Sequence, residues 1–501
     1  MVQVEEMDVI PVIGLEVHVQ LETKTKIFCG CSTDPDGNPN TNVCPICLGL
    51  PGSLPALNEA AVEAAIKIAK SIGAKIADET SFHRKNYFYP DLTKGFQITQ
   101  YDKPICIDGE MEINIEGEIR KIRIERAHLE EDPGGLQHIS GDSDYVLIDY
   151  NRAGTPLIEI VTMPDLRAPK EVRYFLAKLE KNLEYLGVFD PERDGSLRVD
   201  ANVSLIYKSD IESDGSISGK VLEAANRIEI KNISSHKGAE KALVYEIGRQ
   251  KNAIIHGREI VQETRHWDED RGITMSMRKK ETEDDYRYFS EFDLPILTGD
   301  WWKMYIKSID IPELPEARRK RFREEYDLEN EVASKLTSDK KVADFYEMIV
   351  TEFDPGLAAR WVADNLLGEL NYRGLGIDDV ENQLDDFRKL VRLVETGKIT
   401  EKNGKSVVLR KMLDKKISLD MIIDEEKLDI INEKGVKKFV FEVIDENESA
   451  VEDYRNGESN AINYLVGKVM KKAKGNADPA IITKILEEFF EQERKERKGL
   501  Q

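Results

Sequence analysis

The 501-residue chain is too long for one ordinary hydrophobic core and predicts two to four domains, with 40% hydrophobic residues to fill them. A formal charge of -23, from 72 Lys and Arg against 95 Asp and Glu, excludes a protein that coats nucleic acid along its whole surface, so any RNA contact is local. No apolar run of about eighteen residues occurs, and the acidic start MVQVEEMDVI lacks the basic region of a signal peptide, which predicts a soluble cytoplasmic chain without membrane contact.

Residues 14–21 read GLEVHVQL. Side chains alternate along a strand, so Leu15, Val17, Val19 and Leu21 take one face and Glu16, His18 and Gln20 the other. A half-exposed strand meeting water is one reading; a carboxylate beside an imidazole in a site is the other. Five cysteines are too few for a disulfide scaffold, yet four of them, Cys29, Cys31, Cys44 and Cys47, crowd into residues 29–47. Two thiolate pairs separated by the turn-rich DPDGNPN suit a tetrahedral structural zinc with no open position, although the first pair is one residue closer than usual; free thiols are the alternative. Cys106 stands apart and is expected to be buried.

Residues 58–72 predict a helix with Asn58 as its cap and Val62, Ile66, Ala69 and Ile72 on one side. The run HLEEDPGG from His128 places three carboxylates before a glycine turn. Residues 169–186 form a second packing helix opened by proline. Two more alternating strands follow. Arg198, Asp200, Asn202 and Ser204 share one face of residues 198–205, and Arg227, Glu229 and Lys231 share one face of residues 227–231. From Pro312 onward helical patterns take over, through residues 319–352, 357–370 and 380–397. KITEKNGKS, residues 398–406, reads as a turn before a last set of short helices. The expectation is an α+β protein: a strand-rich domain at 1–297, an all-α domain at 298–402 and a small all-α tail at 403–501. The tail holds 19 Lys and Arg against 20 Asp and Glu, so the acidic excess lies almost wholly in the first four hundred residues.

Carboxylates near Arg and Lys on strand faces suit magnesium with a nucleotide, because hard divalent ions take oxygen ligands and keep phosphate as a partner. The usual phosphate loop is absent, since GKS at 404–406 has Ile399 where that loop requires glycine. No G-x-S-x-G elbow or serine-amidase segment occurs either.

The stretches GLEVHVQLETKTKIFCGC, PNTNVCPICLGLPGSLPALN, RKNYFYPDLTKGFQITQYD, HLEEDPG, DYNRAGTPLIEIVTMPD, IEIKN and MRKKETEDDYRYF together closely resemble the B-type subunit of the tRNA-dependent amidotransferases, and so does YRNGESNAINYLVGKVMKKAKGNADP in the tail. The resemblance implies a cradle-shaped kinase domain, a helical domain and a tRNA-engaging tail. It implies a ligase that uses ATP and magnesium to phosphorylate the side-chain carboxylate of Glu or Asp esterified to tRNA. Ammonia from a glutaminase (amidase) partner, held with a small bridging subunit, then displaces the phosphate and yields Gln-tRNA or Asn-tRNA. It further implies that Glu16, His18, Glu130, Glu131 and Glu229 hold the magnesium, with Glu16, His18, Glu131 and Glu229 catalytic. Arg152, Asp200, Asn202 and Lys231 are candidates for contacts to ATP or the aminoacyl end, and Lys94 for the ammonia channel. Glu130 and Glu131 point apart on a regular strand, so both can serve one ion only through a bulge or turn.

Two segments depart from the family pattern, ISSHKG at 233–238 and SEFDLP at 290–295. A sibling subunit with a large inserted domain is a poorer match, because no insert of that size is evident here. Lys468, Lys471, Lys472 and Lys474 form a basic island suited to tRNA phosphates, with a solvated helix end as the plain alternative. A non-catalytic tRNA-binding scaffold subunit and a stand-alone metal hydrolase are the rival readings; the first has no use for the Glu16, His18, Glu131 and Glu229 set.

Overall fold

The computed structural model describes residues 8–34, 36–138, 145–193, 195–212, 217–277, 283–415, 417–426, 428, 433–455, 458 and 460–499. Residues 1–7, and 278–282 of the MRKKETEDDYRYF stretch, lie outside them. The architecture is α+β, with a strand-rich unit at 1–315 and an all-helical unit at 316–501.

In the first unit the alternating sequences pair into a sheet that has 12 strands among the described residues. Its centre runs Glu263–Asp268, Ile228–Ile233, Leu197–Tyr207, Val9–Gln20, Pro156–Thr162 and Glu118–Glu131. These neighbours are antiparallel except for the first two, which run parallel. One face is apolar: Leu15, Val17, Val19, Ile158, Ile160, Val199, Ala201, Val203, Ile228 and Ile230 are all buried. Against it lie the helices Glu59–Ser71, Pro169–Leu186 and His236–Ile255, whose Val62, Ile66, Phe175, Leu179, Ala239 and Leu243 join the same core. Asn58 caps the first as expected, its side chain accepting from the Ala60 amide. Cys106 is fully buried in this core. Helix Gly299–Ser308 also packs there through Trp302, so this unit extends past residue 297.

The helical unit holds two hydrophobic clusters. One spans Phe322 to Leu428 around Trp361, Phe345 and Phe387; the other spans Val436 to Phe490. The expected turn at 398–406 is instead helical from Glu401 through Leu409. Thr400 caps it by accepting from the Asn403 amide, and Val408 and Leu409 are pulled into the first cluster. Gly404 permits this approach, since a Cβ there would lie 3.0 Å from both Trp361 and Val394. Hydrophobic burial thus overrides the local turn signal, and the clusters part between Leu428 and Val436. No described helix is long and apolar enough to cross a membrane.

Candidate active site

The opposite face of the sheet carries the polar residues in register. Glu16 sits across from Asp200, His18 lies between Arg198 and Glu159, His128 faces Glu159, and Asn202 faces Glu229. Directly opposed residues of an antiparallel pair project to the same side, so this register gathers groups more than a hundred residues apart. Glu16, His18, His128, Glu159, Asp200 and Glu229 line one cavity of about 1010 Å³, together with Lys85, Lys231, Tyr101, Tyr286 and Tyr288.

Two groups of metal-competent atoms stand out within it: Glu16, Asp200 and Glu229, and His18, Glu130 and Glu159, the atoms of each set lying within 4.8 Å of one another. In the first, Asn202 Nδ2 donates to Glu16 Oε1 at 3.0 Å, Thr264 Oγ1 to Glu229 Oε2 at 2.8 Å and Lys231 Nζ to Asp200 Oδ2 at 2.7 Å. In the second, Glu159 Oε2 lies 3.3 Å from both His18 Nε2 and His128 Nε2, and Glu130 Oε1 lies 3.8 Å from His18. Three converging carboxylates supply the hard oxygen ligands magnesium takes.

The electrostatics follow from burial and proximity. Burial works against a charged His18, but Glu159, Glu130 and Asp200 outweigh it and raise its pKa to about 9. Burial also works against Glu159, yet His128 and His18 hold its carboxyl well below the usual range. Glu130 goes the other way, pushed up by burial and then by the Glu159 charge. Burial opposes the Lys231 charge, but Asp200 and Glu229 keep the ammonium firmly protonated. A metal taken by His18 must first displace its proton.

Other residues singled out from sequence sit elsewhere. Glu131 projects away from Glu130, as strand alternation dictates, and lines a smaller cavity of about 160 Å³ with Lys94, Arg84 and Glu291. There its Oε2 accepts from Lys94 Nζ at 2.5 Å and its Oε1 from the Ile98 amide at 2.8 Å, so Glu131 joins neither metal-competent group. Arg152 lines a third cavity, with Asp149, Asn151 and Arg193. It donates to the carbonyls of Pro133 and Gly134 and lies 3.4 Å from Asp132. Asp132, fully buried, also accepts from Gln20 at 2.6 Å and from Arg198 at 2.5 Å.

Sequence reading missed Glu159 and Lys85, and gave His128 and Asp132 no role beyond their place in the HLEEDPGG run. The signal for Glu159 was present, a lone carboxylate in the apolar PLIEIVT strand. Asp132 had none beyond its place in HLEEDPG, because its partners Gln20, Arg152 and Arg198 come from three other segments.

Cys29, Cys31, Cys44 and Cys47 do converge, with their sulfurs within 4.8 Å of one another. The Cys44 to Cys47 separation is 3.9 Å. A tetrahedron with zinc–sulfur bonds of about 2.3 Å has edges of about 3.8 Å, so this set fits zinc. In the tail, Lys468, Lys471 and Lys474 are exposed, whereas Lys472 Nζ donates to Glu442 and Glu446. Lys468 also lies 5.1 Å from the Tyr464 ring.

Comparison with known proteins agrees with this architecture. Residues 11–301 match the family model described as the GatB/GatE catalytic domain, and residues 344–489 match that described as the GatB domain. Proteins named as the B-type subunit of aspartyl/glutamyl-tRNA(Asn/Gln) amidotransferase are similar over nearly the full chain. That of Haloquadratum walsbyi is 60% identical, covering 97% of this chain and 98% of its own. That of Natronomonas pharaonis is 61% identical over 96% and 98%, and that of Methanosarcina mazei 50% over 93% and 95%. On these matches over most of its length, this chain belongs to the GatB family of amidotransferase subunits.

Proposed function

We propose that this chain is the kinase and transamidase subunit of an ATP-dependent, glutamine-hydrolysing aminoacyl-tRNA amidotransferase. It converts Glu-tRNA(Gln), Asp-tRNA(Asn) or both into the amidated forms, working in the cytoplasm with a glutaminase subunit and a small bridging subunit. The single observation that carries the reading is the convergence of Glu16, Asp200 and Glu229 with His18, Glu130 and Glu159 in one cavity beside two lysines.

A carboxylate resists attack by ammonia because oxide would have to leave; an acyl phosphate lets inorganic phosphate leave instead. The substrate carboxylate oxygen bonds to the γ-phosphorus of ATP as the bond to ADP breaks. Ammonia then bonds to the acyl carbon, the carbon–oxygen bond to phosphate breaks and one proton is released. Glu16, Asp200 and Glu229 would hold magnesium, which when bound offsets the charge of the transferring phosphoryl group. Lys231 and Lys85 bring fixed positive charge to the same cavity. Asn202 and Thr264 orient Glu16 and Glu229 through their hydrogen bonds. Glu130, whose carboxyl is pushed up by burial and then by the Glu159 charge, is the better base for the proton that ammonia loses, while Glu159 stays ionised between two imidazoles. Lys94 and Glu131 in the smaller cavity are proposed to line the ammonia route, Arg152 to contact ATP or the aminoacyl end, the four cysteines to hold structural zinc, and exposed Lys468, Lys471 and Lys474 to meet tRNA phosphates.

The deciding experiment incubates the reconstituted complex with γ-labelled ATP and mischarged Glu-tRNA or Asp-tRNA in the absence of glutamine. Label trapped on the aminoacyl group supports the reading. ATP that stays intact, with tRNA bound normally, would leave the scaffold alternative.

A further inference from the structure

Lys26 is completely buried, and no step described above uses it. Its Nζ donates to the carbonyls of Asn42 at 2.8 Å and Tyr150 at 3.3 Å, and lies 3.6 Å from Cys47 Sγ. Both carbonyls are neutral, so among these three contacts of the described residues the sulfur is the one able to carry a negative charge. An isolated ammonium buried without a counter-charge costs several kcal/mol. Four thiolates around a divalent ion leave two negative charges in a site where Cys29 and Cys47 are themselves buried. Each buried charge therefore lacks a partner unless the other is present.

The same ammonium is a tether. The Tyr150 carbonyl belongs to the loop that carries Arg152, and Gly154 at its end runs so close that a Cβ there would lie 3.5 Å from Lys26 Cδ and 3.7 Å from Cys47 Cβ. The loop is held a second time by Asn42, whose amide donates to Asn151 Oδ1 at 2.8 Å. On its other side the knuckle presses on Lys94, since a Cβ on Gly49 would overlap the Lys94 side chain.

We propose that Lys26 is the counter-cation of the four-cysteine knuckle, a positioning residue that favours its thiolates for zinc and ties the loaded knuckle to the Tyr150–Gly154 loop. The inference rests on the zinc reading. With zinc bound, Lys26→Met removes a positive charge that lies against the Cys47 sulfur.

The test uses the full chain loaded with zinc and measures metal release to a chromophoric chelator, with metal content by mass spectrometry. Release should be at least about 10-fold faster in Lys26→Met, in line with the loss from removing a partner of a metal ligand. Lys26→Gln, which keeps a donor for the two carbonyls without the charge, should also release zinc fast, and it decides the matter if Lys26→Met does not fold. Wild-type release rates in the variants overturn the inference alone. A wild-type chain that neither contains zinc nor takes up zinc offered alone overturns the zinc reading, and the inference with it.

Discussion

Asp132 provides the sharpest test of how the polar sheet face is held. Its buried carboxylate accepts from Arg198 at 2.5 Å and Gln20 at 2.6 Å, and lies 3.4 Å from Arg152. At an effective dielectric of about 20, unit charges 2.5 Å apart attract by about 7 kcal/mol, most of which desolvation offsets. Removing one partner of a fully buried pair costs about 3–5 kcal/mol, because the remaining charge is stranded. Here the two arginines keep 34% and 37% of their surface, so water recovers part of that. The net loss for Asp132→Ala is therefore about 2–3 kcal/mol. At about 2–4 °C per kcal/mol for a domain approaching this size, the melting temperature should fall by about 4–12 °C. Differential scanning calorimetry of wild type, Asp132→Ala and Asp132→Asn measures it, with Asn expected in between because it still accepts one hydrogen bond. A fall below about 1 °C in the alanine variant would refute the argument that this network stabilises the face.

Glu16→Gln keeps shape but removes one of three converging charges, so transamidation by the complex should drop at least about 100-fold while the partner's glutaminase persists; wild-type turnover would remove Glu16 from the chemistry. Deleting residues 433–501, a cut that spares the cluster ending at Leu428, should weaken tRNA binding and leave ATP binding in place; unchanged tRNA affinity would return the exposed lysines to the role of a solvated surface. In the helical unit, burial opposes ionised Glu347 and Asp344, but Arg318, with Arg321 and Lys340, outweighs it and lowers both pKa values. Their stabilisation is full above the ordinary carboxylate range and is lost as pH falls through the lowered folded values. Urea midpoints measured from pH 6 down to pH 3 should therefore fall less steeply in Glu347→Gln; identical slopes would count against the pairing.

Much of this protein was legible in the sequence because the relevant signals are local. Alternation marked the Glu16, Asp200 and Glu229 strands, Asn58 and Pro169 marked two helix starts, and cysteine spacing marked a cluster whose sulfurs do meet. Even the separation of Glu130 from Glu131 follows from period-two geometry, once no bulge intervenes between them. The turn expected at 398–406 failed for a tertiary reason, since Trp361 and Leu390 provide a surface on which that segment gains more by burying Val408 and Leu409 as a helix.

Sequence alone thus determined which side chains share a strand face and where the helices after Asn58 and at Pro169 begin, because those properties depend on neighbours two to four positions away. Only the tertiary structure decided which faces meet. The register of Val9–Gln20 between two distant strands brought Glu159 and Asp200 to His18 and Glu16 and gave Asp132 its two arginines. Pairing across more than a hundred residues is set by the burial of the whole apolar face, a sum over many strands that no single stretch encodes.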